Sequence, residues 1–123
     1  MAQIRIFPAK ILTVIDGDTV VASLDLGFEL SKSPTHMRLA GIDAPEKMTE
    51  PGVKVKHWLE VRIAEAEMKK DSVEVRTLTH HEDKYGRILG DLLLGGKSVS
   101  EEMLLLGLVR PYDGGKKLPW PVG

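Results

Sequence analysis

The sequence of 123 residues contains no cysteine, which excludes a disulfide framework, a zinc–thiolate site and thiol catalysis. It has no apolar run of more than a few residues, far short of the ~20 that a membrane-spanning helix requires. Met1-Ala2-Gln3-Ile4-Arg5 opens straight into alternating structure, without the apolar stretch of a secretion signal. A cytoplasmic or virion-delivered protein is therefore expected. No repeat, low-complexity tract or shift in composition divides the chain, so residues 1–123 read as one domain.

Net charge is also nearly absent, at −1 from 17 basic and 18 acidic residues. The cancellation hides an uneven distribution. Between Asp16 and Glu46 the six acids Asp16, Asp18, Asp25, Glu29, Asp43 and Glu46 face only Lys32 and Arg38. An acidic pocket in a mildly basic remainder would suit a cation together with a polyanion; a solvated acidic face has the same composition.

Ile4-Arg5-Ile6 and Ile11 to Ile15 read as strand, with Pro8 confining the first part to an edge or a bend. Asp16-Gly17-Asp18 reads as a hairpin turn and Thr19 to Leu26 as the return strand. Gly27 to Pro34 reads as loop or strand end, and Met37 to Ile42 as a third strand running into Asp43-Ala44-Pro45-Glu46. After the breakers Pro51-Gly52, the apolar stripe Val55, Leu59, Ile63, Ala66 has helical spacing. Strict alternation from Ser72 to Leu78 predicts a strand, a polar loop follows from Thr79 to Gly86, and Ile88 to Leu94 predicts another strand. Gly95-Gly96 marks a turn, Ser98 or Ser100 can cap a short helix through Leu106, and Gly107 ends it. The tail from Pro111 to Gly123, rich in Gly and Pro, is expected to be irregular. This order fits an α+β, mainly β protein: a five-stranded Greek-key barrel of the oligonucleotide-binding (OB) type with one longer and one short helix.

Three segments carry the chemistry: Asp16-Gly17-Asp18-Thr19, Arg38-Leu39-Ala40-Gly41-Ile42-Asp43-Ala44-Pro45-Glu46, and Asp83-Lys84-Tyr85-Gly86-Arg87. Each alone is common turn chemistry. Their combination, in this order and on the strand ends of a small barrel, resembles the staphylococcal nuclease (thermonuclease) family from roughly Lys10 to Trp120. Departures are a longer Gly27–His36 segment, a shorter loop after Glu46, and a tail lacking the family's C-terminal helix. That tail is similar to compact single-domain forms from bacteria, phages and plasmids.

The resemblance implies a Ca²⁺-dependent nuclease that hydrolyses DNA and RNA, preferably single-stranded, with little sequence preference and leaves 3′-phosphate ends. Hard cations take oxygen ligands. Asp18 and Asp43 are the natural pair for one Ca²⁺, and the family pattern adds the backbone carbonyl of Ala44. Asp16 either helps through water or only braces the turn. Glu46 matches the general base, and Arg38 and Arg87 match the two phosphate-clamping arginines, whose planar forks lysine does not copy. Lys84 and Tyr85 match substrate-contacting positions, and Tyr112 lies near another. The expected state is a monomer without membrane contact. An alternative is a non-catalytic module binding nucleic acid or protein, since OB barrels also serve for binding alone. Degenerate relatives lose the acidic and arginine positions; this sequence keeps Asp18, Asp43, Glu46, Arg38 and Arg87.

Overall fold

The computed structural model describes residues 4–77 and 86–112. In chain order these form β1 (Arg5–Asp16), β2 (Thr19–Gly27), β3 (Leu30–Leu39), β4 (Ile42–Asp43) and α1 (Glu50–Met68), then β5 (Val73–Thr77) and β6 (Ile88–Leu94). β7 (Lys97–Ser98), α2 (Val99–Leu105) and β8 (Arg110–Pro111) complete the order. The sheet runs β3-β2-β1-β5-β6, and a parallel pairing of β3 with β6 closes it into a five-stranded barrel. β7 extends β6, and β4 pairs with β8 in a separate two-stranded ladder. The OB-type barrel with two helices expected from the sequence is the architecture observed.

Inward positions alternate along the strands, as pleating requires. Val20, Ala22, Met37, Leu39, Val75 and Leu92 are shut off from solvent. α1 lays Val55, Leu59, Ile63 and Ala66 onto this core, and α2 adds Val99 and Met103. Burying each large aliphatic side chain is worth about 1.5–3 kcal/mol, so the stripes on the two helices hold them in place. Arg62 of α1 also pairs with Glu102 of α2 at 3.1 Å.

Pro8 sits inside a continuous β1 rather than at a break. Arg5 to Pro8 pair with β5, and Ala9 to Asp16 pair with β2. The residue without an N–H thus falls where one partner strand hands over to the next, the place a ladder tolerates it.

Two expectations are corrected. The third strand starts at Leu30, not Met37, so Gly27 to Pro34 is mostly strand. Its turn is Phe28-Glu29, both left-handed at φ 54° and 62°, the backbone of a type I′ turn without the usual Asn-Gly. Exposed Leu30 to Pro34 gives no inward-outward pattern to read. The strand also ends at Leu39, and Ala40-Gly41 turns the chain into β4. Pro51 and Gly52 do not precede α1 but form its first turn behind the N-cap Thr49, whose hydroxyl accepts from the Gly52 N–H at 3.2 Å. Proline suits a position that needs no N–H donor. A Cβ on Gly52 would lie 1.9 Å from the Glu46 carbonyl oxygen, so glycine lets the preceding loop cross the helix end.

Candidate active site

The turn between β1 and β2 brings two carboxylates together. Asp16 pairs with Thr19, and Asp16 Oδ1 accepts the Asp18 N–H at 3.0 Å. Neither Gly17 nor Asp18 has a positive φ. Gly17 is needed for space instead: a Cβ there would lie 2.5 Å from Val55 Cγ1 and 2.8 Å from Ala44 Cβ. The acidic turn is thus pressed against both α1 and the segment after β4.

Asp18 is 7% exposed. Its Oδ1 accepts the Thr19 hydroxyl at 3.1 Å, and its Oδ2 accepts the Ala44 N–H at 3.0 Å. Burial, with the hydrogen bond to Asp18 and its charge, pushes the Asp16 carboxyl up to about 6. Burial also opposes the charge on Asp18. It is outweighed by hydrogen bonds from Asp16 and the Ala44 N–H and by the Arg38 charge, so Asp18 is held below the usual carboxylate range. The negative charge of the pair is thus held more firmly on Asp18 than on Asp16.

Arg38, near the end of β3, approaches Asp18 Oδ2 at 3.6 Å through Nη2. Nη1 donates to the Leu39 carbonyl at 2.8 Å, and the guanidinium lies 5.6 Å from the centre of the Tyr112 ring. Nη2 is buried and has no hydrogen-bond partner.

Asp43, 3% exposed, lies on β4 opposite Arg110 of β8. Its Oδ2 accepts from Arg110 Nε at 3.0 Å and Nη2 at 2.9 Å. Ala44 is buried beside it, and Glu46, three residues on, is exposed. The Glu46 carbonyl accepts the Thr49 hydroxyl at 2.6 Å and N–H at 3.0 Å, which ties the loop to the cap of α1. Half-buried Arg87 directly precedes β6. Leu89, two residues later, pairs with Arg38, so the closing ladder brings the two arginine-bearing segments side by side.

The structure therefore gathers Asp16, Asp18, Arg38, Asp43 and Ala44 around one end of the barrel, with Glu46 leaving it along the α1 loop. Among the described residues, no three Asp, Glu, His or Cys side chains form a ready metal cluster. Lys84 and Tyr85 lie outside the described residues. Tyr112, read as a substrate contact, packs by Arg38, and its N–H donates to the Gly41 carbonyl at 3.0 Å. Sequence reasoning missed Arg110. It stands one position before the tail expected to be irregular, and the β4–β8 pairing that aims it at Asp43 leaves no local pattern.

Residues 36–117 match the family described as staphylococcal nuclease homologue. A staphylococcal-like nuclease of Arabidopsis thaliana is 38% identical over 76 residues, 62% of this chain and 21% of that protein. An uncharacterized endonuclease of Escherichia coli is 32% identical over 108 residues, 85% of this chain and 60% of that protein. The chain thus spans between a fifth and three fifths of these relatives' lengths. With its matched segment covering more than half of the sequence and the acidic turn, β3 arginine and β4 aspartate gathered at one end of an OB-type barrel, the chain belongs to the staphylococcal nuclease homologue family.

Proposed function

We propose that this protein is a Ca²⁺-dependent nuclease that hydrolyses phosphodiesters of DNA and RNA with little sequence preference. The observation that carries the reading is Arg38 Nη2, a buried cationic donor beside Asp18 that has no hydrogen-bond partner. An unmade buried donor is costly, and an anionic phosphoryl oxygen would satisfy it with a charge-assisted hydrogen bond. The relatives named nuclease and endonuclease support the same substrate class.

The donor set suits a hard divalent cation: oxygen ligands only, with an Asp16 carboxyl raised by burial and by its neighbour Asp18. Asp18, Asp43 and the Ala44 carbonyl would hold it, with Asp16 assisting through water. The bound ion would supply charge neutralisation at the phosphoryl group. Glu46 takes a proton from the attacking water as its oxygen bonds to phosphorus. The bond from phosphorus to the 5′ oxygen breaks, and the departing oxygen takes a proton from solvent to become the 5′ hydroxyl. Glu46 returns its proton to solvent, and the phosphate stays on the 3′ side. Arg38 and Arg87 stabilise the charge that builds on the phosphoryl oxygens. Lys84 and Tyr85 contact the substrate.

The test is incubation with single-stranded DNA and RNA, in CaCl₂ and in chelator, with the new ends identified by mass spectrometry. Cleavage with Ca²⁺ to 3′-phosphates, lost in chelator and in Asp18→Ala, is the expected result. Binding of the strands without cleavage would make the chain a binding module instead.

A further inference from the structure

Asp43 is among the most buried charged groups of the described residues, and a cation paired with it comes from far away in sequence. Arg110 delivers Nε and Nη2 to the same oxygen, Oδ2, across a ladder of two residue pairs. The Arg110 side chain is itself 28% exposed, at the rim of the site. Asp18 is compensated by a hydroxyl, a backbone N–H and Arg38.

A buried carboxylate stripped of its partner is strongly destabilising unless another cation replaces it. Asp43 therefore needs positive charge whether or not a metal is bound. We propose that Arg110 is the resident counter-ion of Asp43: it balances the carboxylate while the site is without a metal, and it matters less for stability once a divalent cation is present. The inference rests on Asp43 being a cation ligand. It assigns Arg110 a role distinct from the phosphate-clamping arginines: a positioning residue that keeps β4 and β8 together before the cation arrives.

The two sources of charge substitute for one another, so removing one should increase the effect of the other. Thermal unfolding of wild type, R110M and R110K, each in chelator and in excess CaCl₂, reads this directly. In chelator, R110M should unfold ~10 °C or more below wild type. In CaCl₂ the gap should shrink to less than half, so that calcium raises the midpoint of R110M more than that of wild type. R110K, which keeps the charge, should follow wild type. Equal losses in both media would make Arg110 an ordinary structural residue and overturn the proposal. A smaller calcium increment in R110M would overturn it too, because Arg110 would then be orienting Asp43 for the ion. If R110M is unfolded in chelator, its circular dichroism during CaCl₂ addition decides: refolding supports the proposal, and failure to refold overturns it. A wild type without any calcium increment would sink the metal reading itself, and the proposal with it. That result is visible before any variant is compared.

Discussion

Arg38 and Asp18 face each other at 3.6 Å, with Arg38 Nη2 buried and otherwise unpartnered. A surface ion pair would be open to bulk solvent, and this one is largely buried. In R38K the charge stays but the fork is lost. The variant should fold, with a small change in unfolding temperature, and kcat should fall by ~10²–10³-fold in a single-stranded DNA cleavage assay. Wild-type turnover in R38K would make the contact with Asp18 purely structural.

Glu46 is exposed, and its carboxylate makes no hydrogen bond or ion pair with the described residues. Glu46→Gln keeps size and polarity but removes the proton acceptor. It should leave folding, Ca²⁺ binding and affinity for single-stranded DNA close to wild type, and slow cleavage at least ~100-fold. Calorimetry for the ion and rapid-mixing kinetics for the cut separate the two effects. An unchanged rate would remove Glu46 from the chemistry.

Gly17 tests how the acidic turn is held. The Cβ of Gly17→Ala would collide with Val55 Cγ1, and Val55 is 3% exposed with a stiff branched side chain. A loss of ~1–3 kcal/mol is expected in denaturant unfolding, together with weaker Ca²⁺ binding as the turn shifts. Val55→Ala alone also destabilises by opening a cavity. In the double variant the clash with Val55 Cγ1 is gone while the 2.8 Å approach to Ala44 Cβ stays. The two losses should therefore sum to less than their parts, and calcium binding should recover in part. Simple additivity would show that the contact does not position the turn.

Asp91 of β6 concerns the fold alone. This buried carboxylate accepts from the Ser98 and Ser100 hydroxyls and the Leu92 N–H, and pairs with Arg76 at 3.3 Å. Ser98 is also the N-cap of α2, accepting the Glu101 N–H at 3.2 Å. Asp91→Ala strands several donors at once, so unfolding free energy should fall by ~2–4 kcal/mol. Cleavage well below the new midpoint should be unaffected.

What could be read from the sequence was whatever is written locally. The Val55, Leu59, Ile63, Ala66 stripe, the cap at Ser98 and the alternating strand before residue 78 each carry their own period or punctuation. The motif acids and Arg38 were legible for the same reason, since each segment keeps its internal spacing. The Phe28-Glu29 turn was hidden because two residues without conformational freedom adopt a glycine-like backbone. Gly17 looked like turn chemistry, and its actual constraint is the close approach of Val55 of α1 and of Ala44 after β4. Arg110 was hidden because its partner is 67 positions away.

The ladder between β4 and β8 bears on the order of folding. Bringing Asp43 to Arg110 closes a loop of most of the chain, an entropic cost that short-range contacts such as the β1–β2 hairpin do not carry. Synthesis runs from the N-terminus, so all the acids from Asp16 to Glu46 leave the ribosome well before Arg110. A nascent chain therefore carries Asp18 together with its Arg38 but Asp43 still without Arg110, and that pair forms only when the strand bearing Arg110 docks.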